Sequence, residues 1–361
     1  MKIGFLINDL NAGGAERATA SLANYFSKKG IHTEIITFKD VDSFYPLDDK
    51  VNHLRLGFDE IALSLSVKRI LGALKRMTKI RSFIKNRKLN VLIGMSFSMT
   101  WYAVIATIFT KTKSVGTERN NPYKYKATKI NSFLRKFFYR FCNGYIFQTK
   151  KSSFFFTDKL RKNDIIIPNA IFNETVYELT PPQKREKLIC AVGRLNEQKR
   201  FDILIDAFAA INEQIPDHKM IIFGEGALRS ELENKVSSLG LEKRIFLPGT
   251  DPQAVRVVNR SEVFVLSSDL EGMPNVLMEA MAMGVPCVST RCDMGPEELI
   301  ENGKNGILVD VGSTQQIADS ILKIINDPVL SNKLSGNARE LLTTHSIDSI
   351  SQKWLDFLNN I

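Results

Sequence analysis

The feature that most constrains the fold is the regular return of short, uncharged apolar runs, each followed by a loop and then by a segment with helical spacing. The first run, KIGFLI, leads through the loop NDLNAGGAE into the helical RATASLANYFSKKG, which Gly30 ends, and then into TEIITF. A strand, a helix and a second buried strand in that order require a parallel crossover, with helices covering both faces of the sheet. Further strand cores fall near residues 91–95, 113–117 and 144–148. The run DIIIPNAIF, residues 164–172, and the polar, proline-containing ELTPPQKREK read as a crossing between domains. The series then restarts with KLICAVGRL, the helical RFDILIDAFAAINEQ, HKMIIFGEG, the helical LRSELENKVSSLG, RIFLPG, SEVFVLSS, PCVST and GILV. Two doubly wound α/β domains are predicted, 1–168 and 169–345, facing each other across a cleft. Ligands in such sheets bind beyond the carboxyl ends of the strands.

Charge divides unevenly between these halves. Residues 1–168 hold 30 Lys+Arg and 12 Asp+Glu, and the remainder 19 and 27, so the halves carry +18 and −8 of the net +10. A basic half points to a polyanionic partner, a membrane surface or a nucleic acid. Residues 67–88 contain nine Lys/Arg and no acid, with Ile70, Leu71, Leu74 and Met77 at helical spacing, and FLRKFFYRF (133–141) sets aromatics between cations. Both read as amphipathic helices that either dock an apolar side on the sheet or lie on an anionic membrane. No motif supports nucleic-acid binding. Residues 91–110 are uncharged over a length able to span a bilayer, yet hold two serines and three threonines. They read instead as a strand, a turn and a helix opened by Ser98.

The amino terminus, MKIGFLINDL, turns polar by position 8 and lacks the long apolar core of a signal peptide. The four cysteines form no CxxC pair, and four histidines assemble no zinc spacing. A reducing cytoplasm and no bound metal are expected.

The chemistry concentrates in EGMPNVLMEA, residues 271–280. Pro274 suits a first helical turn and Gly284 the position just past the end, which places Asn275 and Glu279 on one face and Glu271 ahead of the helix. A helix mouth offers backbone N–H groups to an anion, and two carboxylates beside it accept hydroxyl hydrogens. Hexose, diphosphate and ribose in a row, a sugar nucleotide, fit that layout. Glu279 sits in the otherwise apolar VLMEAMAM, where an unpartnered carboxylate would be costly.

With its glutamate, seven residues, glutamate spacing in SSDLEGMPNVLMEAMAMGVP, the chain resembles, over essentially its full length, the family 4 retaining glycosyltransferases of the GT-B type. Within that family it resembles bacterial surface-polysaccharide glycosyltransferases. The resemblance implies that Glu271, with Gly272, Met273, Pro274, Asn275 and Val276, holds the donor sugar and that Glu279 binds the ribose. VGRLNEQKRFD (192–202) matches where the family grips the donor diphosphate, which gives that task to Arg194 and Lys199. Gly224, in IIFGEGALRSELE, and RIFLPGT match the nucleotide side. Gly13 and Gly14, in NAGGAER, match the loop that approaches donor phosphate and acceptor from the first domain. GxGxxG spacing is absent there. The final helix, within 346–361, is expected to cross back to the first domain, as in relatives.

Many members carry a histidine near position 119, where this chain has Glu118, Arg119 and Asn120; Glu118 and Arg119 are candidates for the acceptor side. The DxD at Asp40 and Asp42 reads as a polar loop. The resemblance implies a peripheral membrane enzyme on the cytoplasmic face, needing neither cofactor nor metal. It would move a hexose or N-acetylhexosamine from a nucleotide sugar, with UDP the family's frequent carrier, to a polyprenyl-diphosphate-linked or other glycan in lipopolysaccharide or capsule synthesis. A non-catalytic nucleotide-binding protein of the same fold, or a sugar-nucleotide epimerase, is the alternative.

Overall fold

The structure, a computed structural model, describes residues 1–361 apart from 12, 59–66 and 125–127; the side chains of 67–71, Ile70 and Leu71 among them, also lie outside the described set. The chain forms two compact units, Met1–Phe172 with Ile347–Ile361, and Asn173–Ser346.

In the first unit the elements run β1 (Lys2–Ile7), α1 (Gly14–Lys28), β2 (His32–Thr37), β3 (Asn52–Arg55), α2 (Val67–Arg87), β4 (Val91–Gly94), α3 (Phe97–Thr107), β5 (Lys113–Glu118), α4 (Lys129–Phe141), β6 (Gly144–Phe147), α5 (Lys150–Phe154) and β7 (Asp164–Ile166). The second holds α6 (Glu174–Glu178), β8 (Glu186–Val192), α7 (Phe201–Ile211), β9 (Lys219–Phe223), α8 (Arg229–Ser238), β10 (Ile245–Gly249), α9 (Ala254–Arg260), β11 (Ser261–Leu266), α10 (Asn275–Ala282), β12 (Cys287–Thr290), α11 (Pro296–Leu299), β13 (Ile307–Val309), α12 (Thr314–Asn326), α13 (Pro328–Ala338) and α14 (Leu341–Thr344). The last helix, α15 (Ile347–Asn360), returns to the first unit.

Both sheets are parallel, in the orders β3-β2-β1-β4-β5-β6-β7 and β10-β9-β8-β11-β12-β13. In each, the winding reverses beside the first strand laid down, between β1 and β4 and between β8 and β11. Loops leaving the strands at such a reversal splay apart and open a crevice at the carboxyl edge. The central strands, such as β1, β2 and β4, are buried on both faces, as their continuous apolar runs require.

The first unit has one core between the sheet, α1 and α15. Phe5 stacks on Phe26 with ring centroids 6.0 Å apart, and Trp354, Leu355 and Leu358 of α15 close the same cluster. A second cluster on the other sheet face joins Leu92, Tyr102 and Leu56 to Ile80 and Ile84 of α2, with Met77 and Phe83 against it. The described part of α2 therefore spends its apolar side on the core, while Leu74 stays exposed. The second unit has its own core, centred on α7, α12 and β8.

Three local expectations are corrected. The Ser96 side chain, two residues before Ser98, caps α3 by accepting the Met99 N–H. Residues 164–166 form the edge strand β7 rather than a plain crossing, because they pair in register with Tyr145–Phe147. Pro274 caps α10 from just outside instead of starting its first turn. Asp42 lies 2.6 Å from Arg55 and Asp40 3.9 Å from it, and no group of His, Cys, Asp or Glu among the described residues is placed to hold a metal. No described helix is long and apolar enough to cross a membrane.

Trp354 is among the largest fully enclosed side chains of the first unit's core. Trp354→Ala is expected to lower the unfolding free energy by about 3–5 kcal/mol in urea titration. A loss under about 1 kcal/mol would mean that α15 is not integral to that core.

Candidate functional site

In the second unit the site grows from the loops that follow β8, β9 and β11. The Gly193 N–H donates to the Phe223 carbonyl at 2.9 Å and the Leu195 N–H to that of Glu225 at 2.9 Å, which lays the first loop directly on the second. Only glycine permits this. A Cβ on Gly224, at φ 139°, would lie 1.9 Å from the Gly193 oxygen, and one on Gly226 2.1 Å from that of Leu195.

The loop then closes in a short 3-10 turn, Glu197–Lys199, and Arg200, left-handed at φ 48°, turns the chain into α7. Its guanidinium spans Asp202 at 3.0 Å and Asp269 at 3.2 Å. The Asp269 N–H donates to the Gln198 carbonyl at 2.9 Å, the Gln198 amide to the Leu270 carbonyl at 2.5 Å, and the Ser267 hydroxyl to the Lys199 carbonyl at 2.7 Å. Residues 198–200 are thus stitched to 267–270 by backbone and side chain together.

That stitching brings Lys199 Nζ to 2.5 Å from Glu271 Oε1, with only 15% and 10% of the two side chains exposed. Ser268 Oγ donates to the same oxygen at 2.8 Å, and the Ser268 carbonyl accepts from Thr290 Oγ1 at 2.5 Å and Cys292 Sγ at 3.0 Å. The carboxylate is thus held by an ammonium and a hydroxyl on one oxygen, and the serine that supplies the hydroxyl is itself held in place.

Just beyond it, α10 opens at Asn275, with Pro274 as a cap residue that makes no side-chain cap hydrogen bond, and the positive end of the helix lies beside Glu271 in the chain. Gly272 is held by the loop after β12, where a Cβ on Gly295 would sit 2.1 Å from its oxygen. Met273 and Pro274 are buried, while Asn275 and Val276 are half-buried at the helix start. Glu279 is enclosed a turn further along, among Leu277, Met278 and Ala280. Gly284, at φ 68°, ends the helix as its position foretells. Arg194 sits on the same loop as Lys199 with its side chain exposed.

Sequence reasoning missed the groups that build this arrangement: Gln198, Arg200, Asp269, Ser268 and Thr290. A signal existed in SSDLEG, the run that follows a buried strand and contains Glu271, since five polar or glycine residues at a strand end must satisfy their donors somewhere.

In the first unit, Gly13 is hydrogen-bonded to the Tyr45 hydroxyl at 3.1 Å, and α1 begins at Gly14. A Cβ on Gly13 would meet Glu16 Oε2 at 2.2 Å. Arg119 Nη2 donates to Asn169 Oδ1 at 2.6 Å, beside Gln148 at 2.5 Å from the same oxygen. Burial brings the Arg119 guanidinium down to about 10, with the Glu16 charge opposing the change. Glu118, 1% exposed, accepts from Arg135 Nε at 3.2 Å. Burial pushes its carboxyl up to about 7, the Arg135 charge offsetting part of the rise.

A paired ammonium and carboxylate, a helix mouth and an inner carboxylate, set in order along one loop and helix, suit an anion flanked by hydroxyl-rich groups. Similarity to known proteins agrees with that chemistry. A family model described as Glycosyltransferase Family 4 matches residues 12–171, and one described as Glycosyl transferases group 1 matches residues 177–341. Only the chain's ends and a short join escape them. The chain belongs to the family 4 glycosyltransferases.

Family 4 relatives from Campylobacter jejuni subsp. jejuni include the GalNAc-alpha-(1->4)-GalNAc-alpha-(1->3)-diNAcBac-PP-undecaprenol alpha-1,4-N-acetyl-D-galactosaminyltransferase, 27% identical over 100% of this chain and 99% of the relative. A second from that organism, N-acetylgalactosamine-N,N'-diacetylbacillosaminyl-diphospho-undecaprenol 4-alpha-N-acetylgalactosaminyltransferase, is 27% identical over 94% of each. Among solved structures, Anabaena HepE in complex with UDP shares the fold with a TM-score of 0.80, at 20% identity over 100% of both chains. The fold is GT-B, and the glycosyltransferase is an enzyme.

Because Glu118 holds more proton folded, at about 7, than unfolded, near 4.5, its contribution is fully present below pH 4.5 and is lost as pH rises through 7. Wild type is therefore expected to lose about 2–3 kcal/mol of stability between pH 5 and 8 relative to Glu118→Gln. Parallel pH profiles of the two in urea unfolding would contradict this.

Proposed function

We propose that this glycosyltransferase is a metal-independent, retaining enzyme that moves a hexose or N-acetylhexosamine from a UDP-sugar to a lipid-linked glycan during surface polysaccharide synthesis. The carrying observation is the Lys199–Glu271 contact at the mouth of α10. Relatives named for undecaprenyl-diphosphate-linked acceptors, and a fold neighbour holding UDP, support donor and acceptor class.

On this reading the second unit takes the donor. Lys199 and Arg194 bind the diphosphate, and Glu271 with Gly272, Met273, Pro274, Asn275 and Val276 orients the sugar hydroxyls. Glu279 holds the ribose, and Gly224 keeps the nucleotide loop close. The first unit takes the acceptor, with Gly13 and Gly14 at the mouth of α1. Glu118 and Arg119 act there as positioning residues through Arg135 and Asn169. The enzyme works at the cytoplasmic face of the membrane.

In the reaction the bond from the sugar C1 to the diphosphate oxygen breaks, and the acceptor oxygen bonds to C1 from the face the nucleotide leaves. The acceptor proton passes to the departing phosphate oxygen. Charge grows on that oxygen as the bond breaks, and fixed cations lower the energy of that state more than of the ground state. With phosphate charge to stabilise and cations in place, a metal has no required task.

Glu271 is the sensitive point. Glu271→Ala is expected to reduce turnover by about 100-fold in a UDP-release assay with membranes supplying acceptor. UDP affinity by calorimetry should hold or tighten, because Lys199 loses its internal partner. Unchanged turnover would refute the role of Glu271, and failure of wild type to release UDP from any UDP-sugar would refute the donor.

A further inference from the structure

Helix α4 is inside out. Its buried face carries Asn131, Arg135 and Tyr139, whereas Ile130, Phe133, Phe137 and Phe141 are 71%, 64%, 41% and 58% exposed. Those four positions follow one another by three, four and four residues and so form a single stripe along the helix. The rings touch each other, Phe133 to Phe137 at 5.9 Å and Phe137 to Phe141 at 4.9 Å, as one continuous apolar strip.

Orientation is enforced from within. Arg135 pairs with Glu118 at 3.2 Å and lies 4.2 Å from the centre of the Phe97 ring. Tyr139 is held by Asp164 and lies under Arg161, 4.1 Å from its ring centre. A rotation that hid the phenylalanines would break both anchors and expose a buried ion pair. Folding in water alone gives no reason to aim four large apolar side chains outward while ionic groups are turned in.

The charge around the stripe identifies its occupant. Lys129, Lys136 and Arg140 are exposed, and their spacing of seven and four residues runs them along one flank of the stripe. The helix has no acidic residue, and residues 1–168 carry 30 Lys+Arg against 12 Asp+Glu. The other basic segment, α2, contrasts with it, because its described apolar residues are already packed into the core. An apolar strip beside a row of cations matches a bilayer interface, where rings enter below the headgroups and cations meet lipid phosphates.

We propose that the Ile130–Phe133–Phe137–Phe141 face of α4 docks this protein on an anionic lipid bilayer. It deepens the reading of a lipid-linked acceptor and rests on it for its purpose, but the contact itself requires neither donor nor acceptor. Docking would hold the enzyme at the surface where such an acceptor is presented.

The test is co-sedimentation of the full chain with vesicles of phosphatidylcholine alone and of phosphatidylcholine mixed with phosphatidylglycerol, without sugar nucleotide. Wild type is expected to bind the anionic vesicles, less so at high salt. Phe133→Ser/Phe137→Ser should weaken binding by about tenfold or more, with the thermal midpoint unchanged because both rings are exposed. Lys136→Glu/Arg140→Glu, whose charges lie on the flank, should weaken it comparably and abolish the preference for anionic lipid.

Equal binding by wild type and both double variants would overturn the proposal, as would wild type that ignores anionic vesicles. So would a vesicle-free dimer, seen by sedimentation equilibrium and dissolved by Phe133→Ser/Phe137→Ser, since the stripe would then serve a second copy of the chain. UDP release from a UDP-sugar, measured on the same preparations, separates the two readings: transfer without vesicle binding defeats only the docking face, and vesicle binding without transfer defeats only the donor reading.

Discussion

Everything in the second unit's site depends on bringing an ammonium and a carboxylate within 2.5 Å of each other at a sheet edge. Taking both charges largely out of water is expensive, and their attraction repays it only when remaining hydrogen-bonding capacity is met. Here Ser268 meets it, and its own carbonyl is held in turn by Thr290 and Cys292. Within the pair each charge offsets the other. On the reading proposed above, an incoming diphosphate would compete with Glu271 for Lys199 and so make Glu271 available to hydroxyl hydrogens. On that reading one contact links the anion and the sugar parts of a donor.

That geometry follows from the winding of the sheet. β8 and β11 are neighbours on either side of the reversal, so their loops emerge beside each other although about seventy residues separate them. Glycine at 224, 226 and 295 lets backbone approach backbone, and Arg200 in a left-handed conformation tightens the turn. A residue with a side chain at 224 would push the loop after β9 away from the loop after β8.

Much of this was legible in the residues. Uninterrupted apolar runs such as KIGFLI and KLICAV read as parallel strands because only a sheet covered on both faces buries every side chain of a run. Glu271 and Glu279 stood out because carboxylates are conspicuous beside apolar helix positions. What escaped was set by tertiary pairing. Ser98 was read as the residue that opens α3, but the cap is Ser96, whose hydroxyl reaches the Met99 N–H. Arg135 reads as a surface cation until Glu118, seventeen residues earlier, is seen to meet it inside. The Arg200 bridge to Asp269 was equally hidden, since it joins parts of the chain far apart in sequence.

The same Glu118–Arg135 pair shows how a position expected at an acceptor can act at a distance. It sets the rotation of α4 and so decides which residues meet the solvent. The central claim, that Lys199 is a diphosphate ligand and Glu271 its resting partner, is tested most directly by calorimetry of UDP and of uridine against wild type and Lys199→Met. The account predicts that the substitution cuts the advantage of UDP over uridine by about tenfold or more and leaves uridine binding unchanged. An unchanged ratio of the two affinities would contradict it.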